Sequence, residues 1–550
     1  MGLPRRQRGA VAILVLTALV LGIAWFAVGA LGKAPVARHE REIVTGQALR
    51  AGKAALLAYV AQYAARFNTI EPGQMPCPES LTLANPGVSS TSCSAAGLNV
   101  GRLPWKTLGI DELRDGYGEP LWYIVRGFRN PPINFATAGQ LTHNGSTVVA
   151  MIIAPGAPLN TAASAGTPTA GCSKQNQQVT TRNTGTLVPT HFLECGTTTG
   201  SITSPGDATW TNDRVISISA AEWADAIAGP LADRLQRQVA PAMNDFRTTT
   251  SLASWGESFF PNASVISSSV AGSQPENNDL CGDNDVRSGM PPTATAASGQ
   301  CSTDWAFHSL PGLPSQLNSG GCFTVAGPPQ EVRCDFTVVS DGTFSPRINL
   351  TAPRIGYSFR YVETSQITIQ VDNLPAFPPY PSASIGNFAS SASSSNGEGT
   401  LSFEVFLPFL TAGSSVRIRI PYPADALLAD PRSEWFIVNG WDRFTHYGVS
   451  QAATHDPGSA VCNPGGTVTD CMTVNNMPSP SDDKRLVLVL MGRQLAGTAQ
   501  PSYTLSDYWE GQNASADSIY EIGSVDATFN DRVAACPYTY TTSAGPVQPC

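Results

Sequence analysis

Between Cys281 and Gly289 the chain reads CGDNDVRSG, and Asp283, Asn284 and Asp285 there are hard oxygen donors of the kind calcium takes. A full calcium loop would close on a distal carboxylate at fixed spacing, and none follows. A solvated turn beside a cysteine accounts for the same residues, so no metal or cofactor is assigned and calcium at Asp283 and Asp285 stays open. The other residues able to do chemistry are scattered. The six histidines (His39, His143, His191, His308, His446 and His455) form no H-E-x-x-H pair, and no two share a helical face at ligand spacing. No G-x-S-x-G elbow, phosphate loop or dinucleotide fingerprint occurs. A triad assembled from distant positions needs no local motif, but nothing marks one. The chain is read as a non-enzyme with no catalytic residue.

Twelve cysteines remain: Cys77, Cys93, Cys172, Cys195, Cys281, Cys301, Cys322, Cys334, Cys462, Cys471, Cys536 and Cys550. They arrive as six short-range neighbours with no C-x-x-C, which points to structural disulfides in an oxidising compartment rather than to zinc or a thiol nucleophile. The pairing itself is left open. A net charge of −9 and the lack of a basic stripe beyond the N-terminus exclude nucleic acid as the expected partner. With only 14% charged residues and abundant Gly and Pro, the composition suits strands and loops.

The elements that must hold all this begin with RRQRGAVAILVLTALVLGIAWFAVGALGK, Arg5 to Lys33. Ala10 to Leu31 is an uncharged run of 22 residues, long enough for a membrane span of about 30 Å. Arg5, Arg6 and Arg8 would keep the N-terminus cytoplasmic. Leu49, Leu56, Val60, Tyr63 and Phe67 then recur on one helical face, so one helix is expected, membrane-spanning first and soluble after. Gly32 and Pro35 predict a kink or a locally melted turn between the halves.

A short basic leader ending in Gly and running straight into an apolar helix resembles the type IV pilin and type II secretion pseudopilin family. The resemblance implies that a prepilin peptidase cuts between Gly9 and Ala10, that the new N-terminus is methylated, and that the helix becomes the core of a filament. Family members usually carry Glu as the fifth mature residue; this chain has Leu14, which is similar to the tip-type minor subunits. MPCPE (Met75 to Glu79), GRLPWKTLGI (Gly101 to Ile110) and DGYGEPLWYIV (Asp115 to Val125) extend the resemblance into the head.

The sequence also repeats itself. HFLE (His191 to Glu194) and DATWTNDRVISI (Asp207 to Ile218) return as DYWE (Asp507 to Glu510) and DATFNDRVAA (Asp526 to Ala535). Before them VVAMIIAPGAPL is matched by LVLVLMGRQLAG, and EPLWYIV by EWFIVNGWDRFTHYGVS. Two related heads are therefore expected. Ser219 and Glu222 form a capping box ahead of Trp223, Ile227, Leu231, Leu235, Val239 and Met243, a second core helix that Pro230 and Pro241 would kink or split. Asp213, Asp531, Arg214, Arg532, Glu194 and Glu510 are read as turn residues. ITIQV, LSFEVFL and VRIRI alternate as strands of an inserted antiparallel sandwich.

The expected fold class is α+β: a long transmembrane-plus-soluble helix, two pilin-like heads of helix on antiparallel sheet, and an inserted all-β sandwich-like domain. The expected divisions are a leader (1–9), a membrane helix (10–31), its soluble half (32–68) and a first head (69–218). A second core helix and start of the second head (219–322), the β insertion (323–421) and the rest of that head (422–550) follow. The expected function is a minor pilin-like or pseudopilin-like filament subunit, at the tip by its Leu14, with the insertion free to bind. Its expected partners are other pilin or pseudopilin subunits through the helix, the prepilin peptidase and the bacterial inner membrane, the heads facing the periplasm or the exterior. The alternative is a single-pass anchored adhesin or binding protein outside any filament.

Overall fold

The computed structural model describes residues 7–82, 85–91, 93–94, 96–157, 186–189, 192–193, 200–202, 212–249, 260–264, 287–293, 306–310, 313–325, 331–353, 359–361, 367–371, 398–405, 407–421, 424–454, 462, 470–495, 505–515, 517–526 and 528–537. They belong to two compact units, one of Met1–Val60, Met75–Asn130 and Ala138–Trp223, the other of Ala61–Gln74, Pro131–Thr137 and Ala224–Cys550.

The chain begins with helix α1 (Gln7–Ala64), 58 residues that pass Gly32 and Pro35 without a break, so no melted turn separates its halves. In the first unit β1 (Leu98–Arg102), β2 (Trp122–Arg126), β5 (Ala150–Ala154) and β7 (Arg214–Ile218) make an antiparallel sheet in that order, and β3 (Leu141–His143), β4 (Ser146–Val148) and β6 (Ser201–Ile202) a smaller one. Trp122 pairs with Ile153 and Ile124 with Met151, and these four share one face with Leu141, Val148, Leu187 and Phe192. Tyr123 and Ile152, also paired, point the other way. Covered on both faces, β5 is apolar throughout, as a central strand must be.

Helix α2 (Ala220–Arg234) starts on its capping box: Ser219 Oγ accepts from Glu222 N–H at 3.2 Å, and Glu222 Oε2 accepts from Ser219 N–H at 3.0 Å. Pro230 lies within it. A π-turn, Leu235–Val239, joins it to α3 (Ala240–Thr249). In the second unit β8 (Ser288–Gly289) pairs with β20 (Thr445–Val449), β20 with β22 (Lys484–Leu490), and β22 with β24 (Arg532–Pro537). Between β8 and β20 lie β9 (Ala306–Ser309), β10 (Leu317–Val325), β11 (Glu331–Val338), β12 (Gly342–Phe344), β13 (Arg347–Pro353) and β14 (Arg360–Tyr361). They are followed by β15 (Thr368–Val371), β16 (Glu398–Glu404), β17 (Leu407–Leu410), β18 (Ser415–Pro421) and β19 (Ala424–Asp425). These strands build the sheets β10-β11-β18-β15, β16-β13-β9, β12-β17 and β14-β19, and a last pair joins β21 (Thr473–Asn475) to β23 (Ile519–Glu521) in parallel.

The sheets β1-β2-β5-β7 and β8-β20-β22-β24 have the same order and the same antiparallel sense, and they match to the atom at one corner. Asn212 Nδ2 donates to Ala157 O at 2.6 Å, and Asn530 Nδ2 donates to Arg493 O at 2.8 Å. Gly156 and Gly492, one residue earlier, each stand against that asparagine, where a Cβ would collide with it. Arg214 and Arg532 then open β7 and β24, opposite Ala154 and Leu490. One detail of the repeat differs from the sequence reading: Glu434–Val438, aligned there with a strand, is a short helix. The left-handed Gly440 ends that segment, and the strand equivalent to β2 is the later Thr445–Val449.

Two expectations are corrected. The fold class is not α+β but mostly β: among the described residues most elements are strands, gathered in eight sheets, and the helices after α1 are short. The single-pass inner-membrane placement is likewise withdrawn, because among the described residues no helix is long and apolar enough to cross a membrane. Within the span once expected at 10–31, side chains are described only at 13–23 and 25.

Candidate functional site

The N-terminal helix is built from two unlike halves. Ile13, Leu14, Val15, Leu16, Leu19, Val20, Leu21 and Ile23 are all exposed, Leu14 at 69%, and Trp25 reaches 85%. Even the hydroxyl in this stretch is turned inward, Thr17 Oγ1 donating to Ile13 O at 2.7 Å. An apolar surface on every side of a helix is the pattern of an element that lives buried. Gly9 and Ala10, the residues expected at the processing junction, fall within the helix by backbone, and their side chains lie outside the described ones.

The later half is fixed to the first head. Thr45, Ala48, Leu49, Leu56 and Val60 are buried at helical spacing. Gly52 brings the helix down on the sheet side: a Cβ there would lie 3.4–3.5 Å from Leu103, Ile152 and Leu121. The DGYG turn touches the same helix, Gly116 N–H donating to Thr45 Oγ1 at 3.0 Å, with the Gly116 position only 2.2 Å short of Arg41 O for any added Cβ. Asp115 shapes that turn. Its Oδ1 accepts from Tyr117 and Glu119 N–H, and its Oδ2 accepts from Gly156 N–H at 2.8 Å. The carboxylate expected only as a family mark thus ties the turn to the end of β5.

Lys53 pairs with Glu222. Burial opposes charge on Glu222, but hydrogen bonds from Lys53 and Ser219 outweigh it and hold the carboxyl below its usual range. The Pro-Cys-Pro element is stapled by Cys77–Cys93, and Tyr123 Oη, buried and pushed upward by that burial, donates to Pro76 O at 3.1 Å. The exposed stretch thus belongs to the same helix that packs on the first unit's sheet.

In the second unit the end of α1 is held by a residue that the sequence reading passed over. Arg234 is fully buried. Its Nε donates to Gln238 Oε1 at 2.8 Å, and its terminal nitrogens donate to Ala64 O, Thr69 Oγ1 and Thr69 O. Its guanidinium stacks 4.2 Å from the centre of the Trp435 ring. Gln238 Nε2 adds a bond to Phe67 O at 2.9 Å. A cation over the last carbonyls of a helix opposes its negative end. Burial lowers the Arg234 pKa to about 10, which still leaves it charged at neutral pH. The π-turn starts right after Arg234, with Ala240 N–H returning to Leu235 O. The signal in the sequence was a charge and an amide four apart within an apolar face.

Asn439, also fully buried, accepts from Ile133 N–H through Oδ1 and donates through Nδ2 to Ile70 O and Trp435 O, while its own carbonyl accepts from Asn134. Two segments far apart in sequence are thereby fastened in one unit.

Among the described residues, the other chemistry-bearing groups are scattered over separate places. His446 is sealed in the sheet, its Nε2 2.8 Å from Ser288 Oγ, which lies 2.8 Å from Tyr520 Oη, and burial drives its pKa down to about 4. His143 Nδ1 meets Ser217 Oγ at 3.0 Å and is lowered by burial. His39 is exposed. His191, His455, Asp283, Asp285 and Glu194 lie outside the described residues, as does the side chain of His308. Among the described residues no group of three or more His, Cys, Asp or Glu is placed to hold a metal. Asp531 accepts from Glu510 N–H at 2.8 Å and from Asn513 Nδ2 at 3.1 Å; burial first, then the Glu510 charge, raise its pKa. Asp213 is buried and Arg214 pairs with Glu42 at 3.4 Å. Cys322–Cys334 and Cys462–Cys471 are disulfides, and Cys536 is disulfide-bonded. Cys172, Cys195, Cys281, Cys301 and Cys550 lie outside the described residues. Comparisons of the chain with protein-family models, curated proteins and solved structures found no match.

Proposed function

We propose that this protein is a minor pilin-like or pseudopilin-like structural subunit of a type II secretion or type IV pilus-like filament. The observation that carries the reading is the exposed apolar stretch of α1, Ile13 to Trp25, continuous with a half buried against its own head. In this reading the stretch is covered by the equivalent helices of neighbouring pilin or pseudopilin subunits, with close packing and removal of apolar surface from water as the driving force. Leu14 occupies the position where a shaft subunit would present a carboxylate, which suits a terminal place in the filament. A prepilin peptidase would prepare the helix by cutting between Gly9 and Ala10.

The test is the mature N-terminus, read by mass spectrometry from cells with and without an active prepilin peptidase. A methylated start at Ala10 that depends on the peptidase supports the filament reading. An intact leader in both samples overturns it.

A further inference from the structure

The sheet β10-β11-β18-β15 has one buried face and one open one. Val332, Cys334, Phe336 and Val338 of β11 and Val416, Ile418 and Ile420 of β18 are buried. The alternate residues form registered rows on the other face: Phe323, Arg333, Arg419 and Thr368 in one, and Gly321, Asp335, Arg417 and Gln370 in the next. Thr337 and Ser415 are opposed one step further along.

Strand β10 carries a bulge between Ser319 and Gly321, so Gly320 is an extra residue facing Asp335. A Cβ at Gly320 would lie 3.2 Å from Asp335 O, and Gly321 sits at φ +105°, a conformation that side chains disfavour. Bulges redirect a strand and open its surface beside binding sites. Beside Gly320 lies a pocket of about 250 Å³ lined also by Asp335, Thr337, Gln370, Ser415 and Arg417, with Phe336 and Val416.

The chemistry of that pocket is specific in kind. Asp335 is held rigidly: its Oδ1 accepts from Arg417 Nε at 2.8 Å, and its Oδ2 accepts from an Arg333 terminal nitrogen at 3.0 Å. Burial disfavours its charge, but these bonds dominate and keep the carboxyl below its usual range. The carboxylate is thus paired with two guanidiniums, Arg417 within the pocket and Arg333 at its edge, and offers no free charge to an ammonium group. What the walls offer is a close alternation of donors and acceptors: a fixed carboxylate, a guanidinium, an amide and two hydroxyls. Beside it Phe323, 43% exposed with Arg333 5.0 Å over its ring, adds a flat apolar surface on the same face.

We propose that this face is a saccharide-binding site, the pocket taking the hydroxyls of one neutral sugar ring and Phe323 carrying the apolar face of the next. Hydroxyls both donate and accept, so they match every wall group at once, and planar partners fix pairs of adjacent hydroxyls. A neutral ring needs no compensating charge, and it can bond to a carboxylate and guanidiniums that are already paired with one another. The site lies in the inserted strands and does not rest on the filament reading.

The test uses the full chain and four neutral probes, the trisaccharides of N-acetylglucosamine, glucose (α- and β-linked) and mannose, followed by calorimetry. Saturable binding of at least one probe is expected, weakened three- to tenfold in Gln370→Ala and in Thr337→Val, and at least as much in Phe323→Ser. These are solvent-facing positions, and unchanged far-ultraviolet dichroism would certify the fold. Binding should persist in 0.5 M salt. The proposal is overturned if no probe binds, if binding is indifferent to all three substitutions, or if it disappears in 0.5 M salt, since the probes carry no charge for salt to screen.

Discussion

Two glycines on the contact between α1 and the first head should respond to the same substitution with opposite signs. At Gly52 an added methyl would meet Leu103 Cδ2, Ile152 Cγ2 and Leu121 Cδ1 at 3.4–3.5 Å, which is ordinary contact. Alanine is also the better helix residue, by about 0.5–1 kcal/mol, and the buried methyl adds roughly 0.8 kcal/mol at most. Gly52→Ala is therefore expected to stabilise the first unit by about 1 kcal/mol. At Gly116 the same methyl would lie 2.2 Å from Arg41 O and 2.6 Å from Arg41 Cα.

Neither of those atoms is the end of a flexible side chain; both belong to the α1 backbone. The turn must retreat by about 1 Å, stretching the Gly116 N–H bond to Thr45 Oγ1, at a cost of about 1–3 kcal/mol. The two variants should thus differ by about 2–4 kcal/mol. With two units in the chain a single melting curve mixes transitions, so the assay is hydrogen exchange of the α1 amides between residues 45 and 60, supported by urea titration. Slower exchange in Gly52→Ala and faster exchange in Gly116→Ala is the expected outcome. Equal effects of the same sign would refute the idea that the helix seats on the head through these two approaches.

Further outcomes follow from the second unit. Arg234→Met keeps much of the volume against Trp435 but removes every donor to Ala64, Thr69 and Gln238; it should cost about 3 kcal/mol and speed exchange within residues 61–74, and unchanged exchange there would sink the clamp. Two buried groups set opposite pH slopes. His446, with a folded pKa of about 4 against 6.5 unfolded, contributes stability that is complete above pH 6.5 and lost as pH falls toward 4. Asp442, raised by burial to about 6 from 3.8, contributes stability that is complete below pH 3.8 and lost as pH rises through 6. Each spans about 3 kcal/mol, so His446→Gln should become less stable from pH 4 to 6 and Asp442→Asn more stable relative to the wild type. Matching slopes in the two variants, measured by thermal melts across that window, would contradict both assignments.

The sequence carried those parts of the fold that are written locally. Alternation in VRIRI marks β18, since one face of a strand is wet. The NDR repeat marks β7 and β24, because the same asparagine–glycine corner recurs before each strand. The capping box marks the start of α2 because both its hydrogen bonds span only three residues. Local pattern failed where packing decided. EWFIV has β-favouring residues, yet it folds as a short helix whose Trp435 stacks on a guanidinium from α2. The α+β expectation gave the helices too much weight, since the inserted strands from β9 to β19 read as sparse runs between turn clusters.

The anchoring residues were beyond local reach for a different reason. Asn439 joins residues about three hundred positions away, and Arg234 meets the end of α1 across 165 to 170 positions. A polar residue inside an apolar face reads from sequence as a defect, whereas in three dimensions it is the partner of backbone carbonyls that the end of a helix leaves unpaired. Buried polar groups are tolerated only where such bonds are made. A lone Arg or Asn on an otherwise apolar stretch is thus a statement about where another helix or loop must end. In this chain Arg234 and Asn439 make that statement for the same segment, residues 61–74.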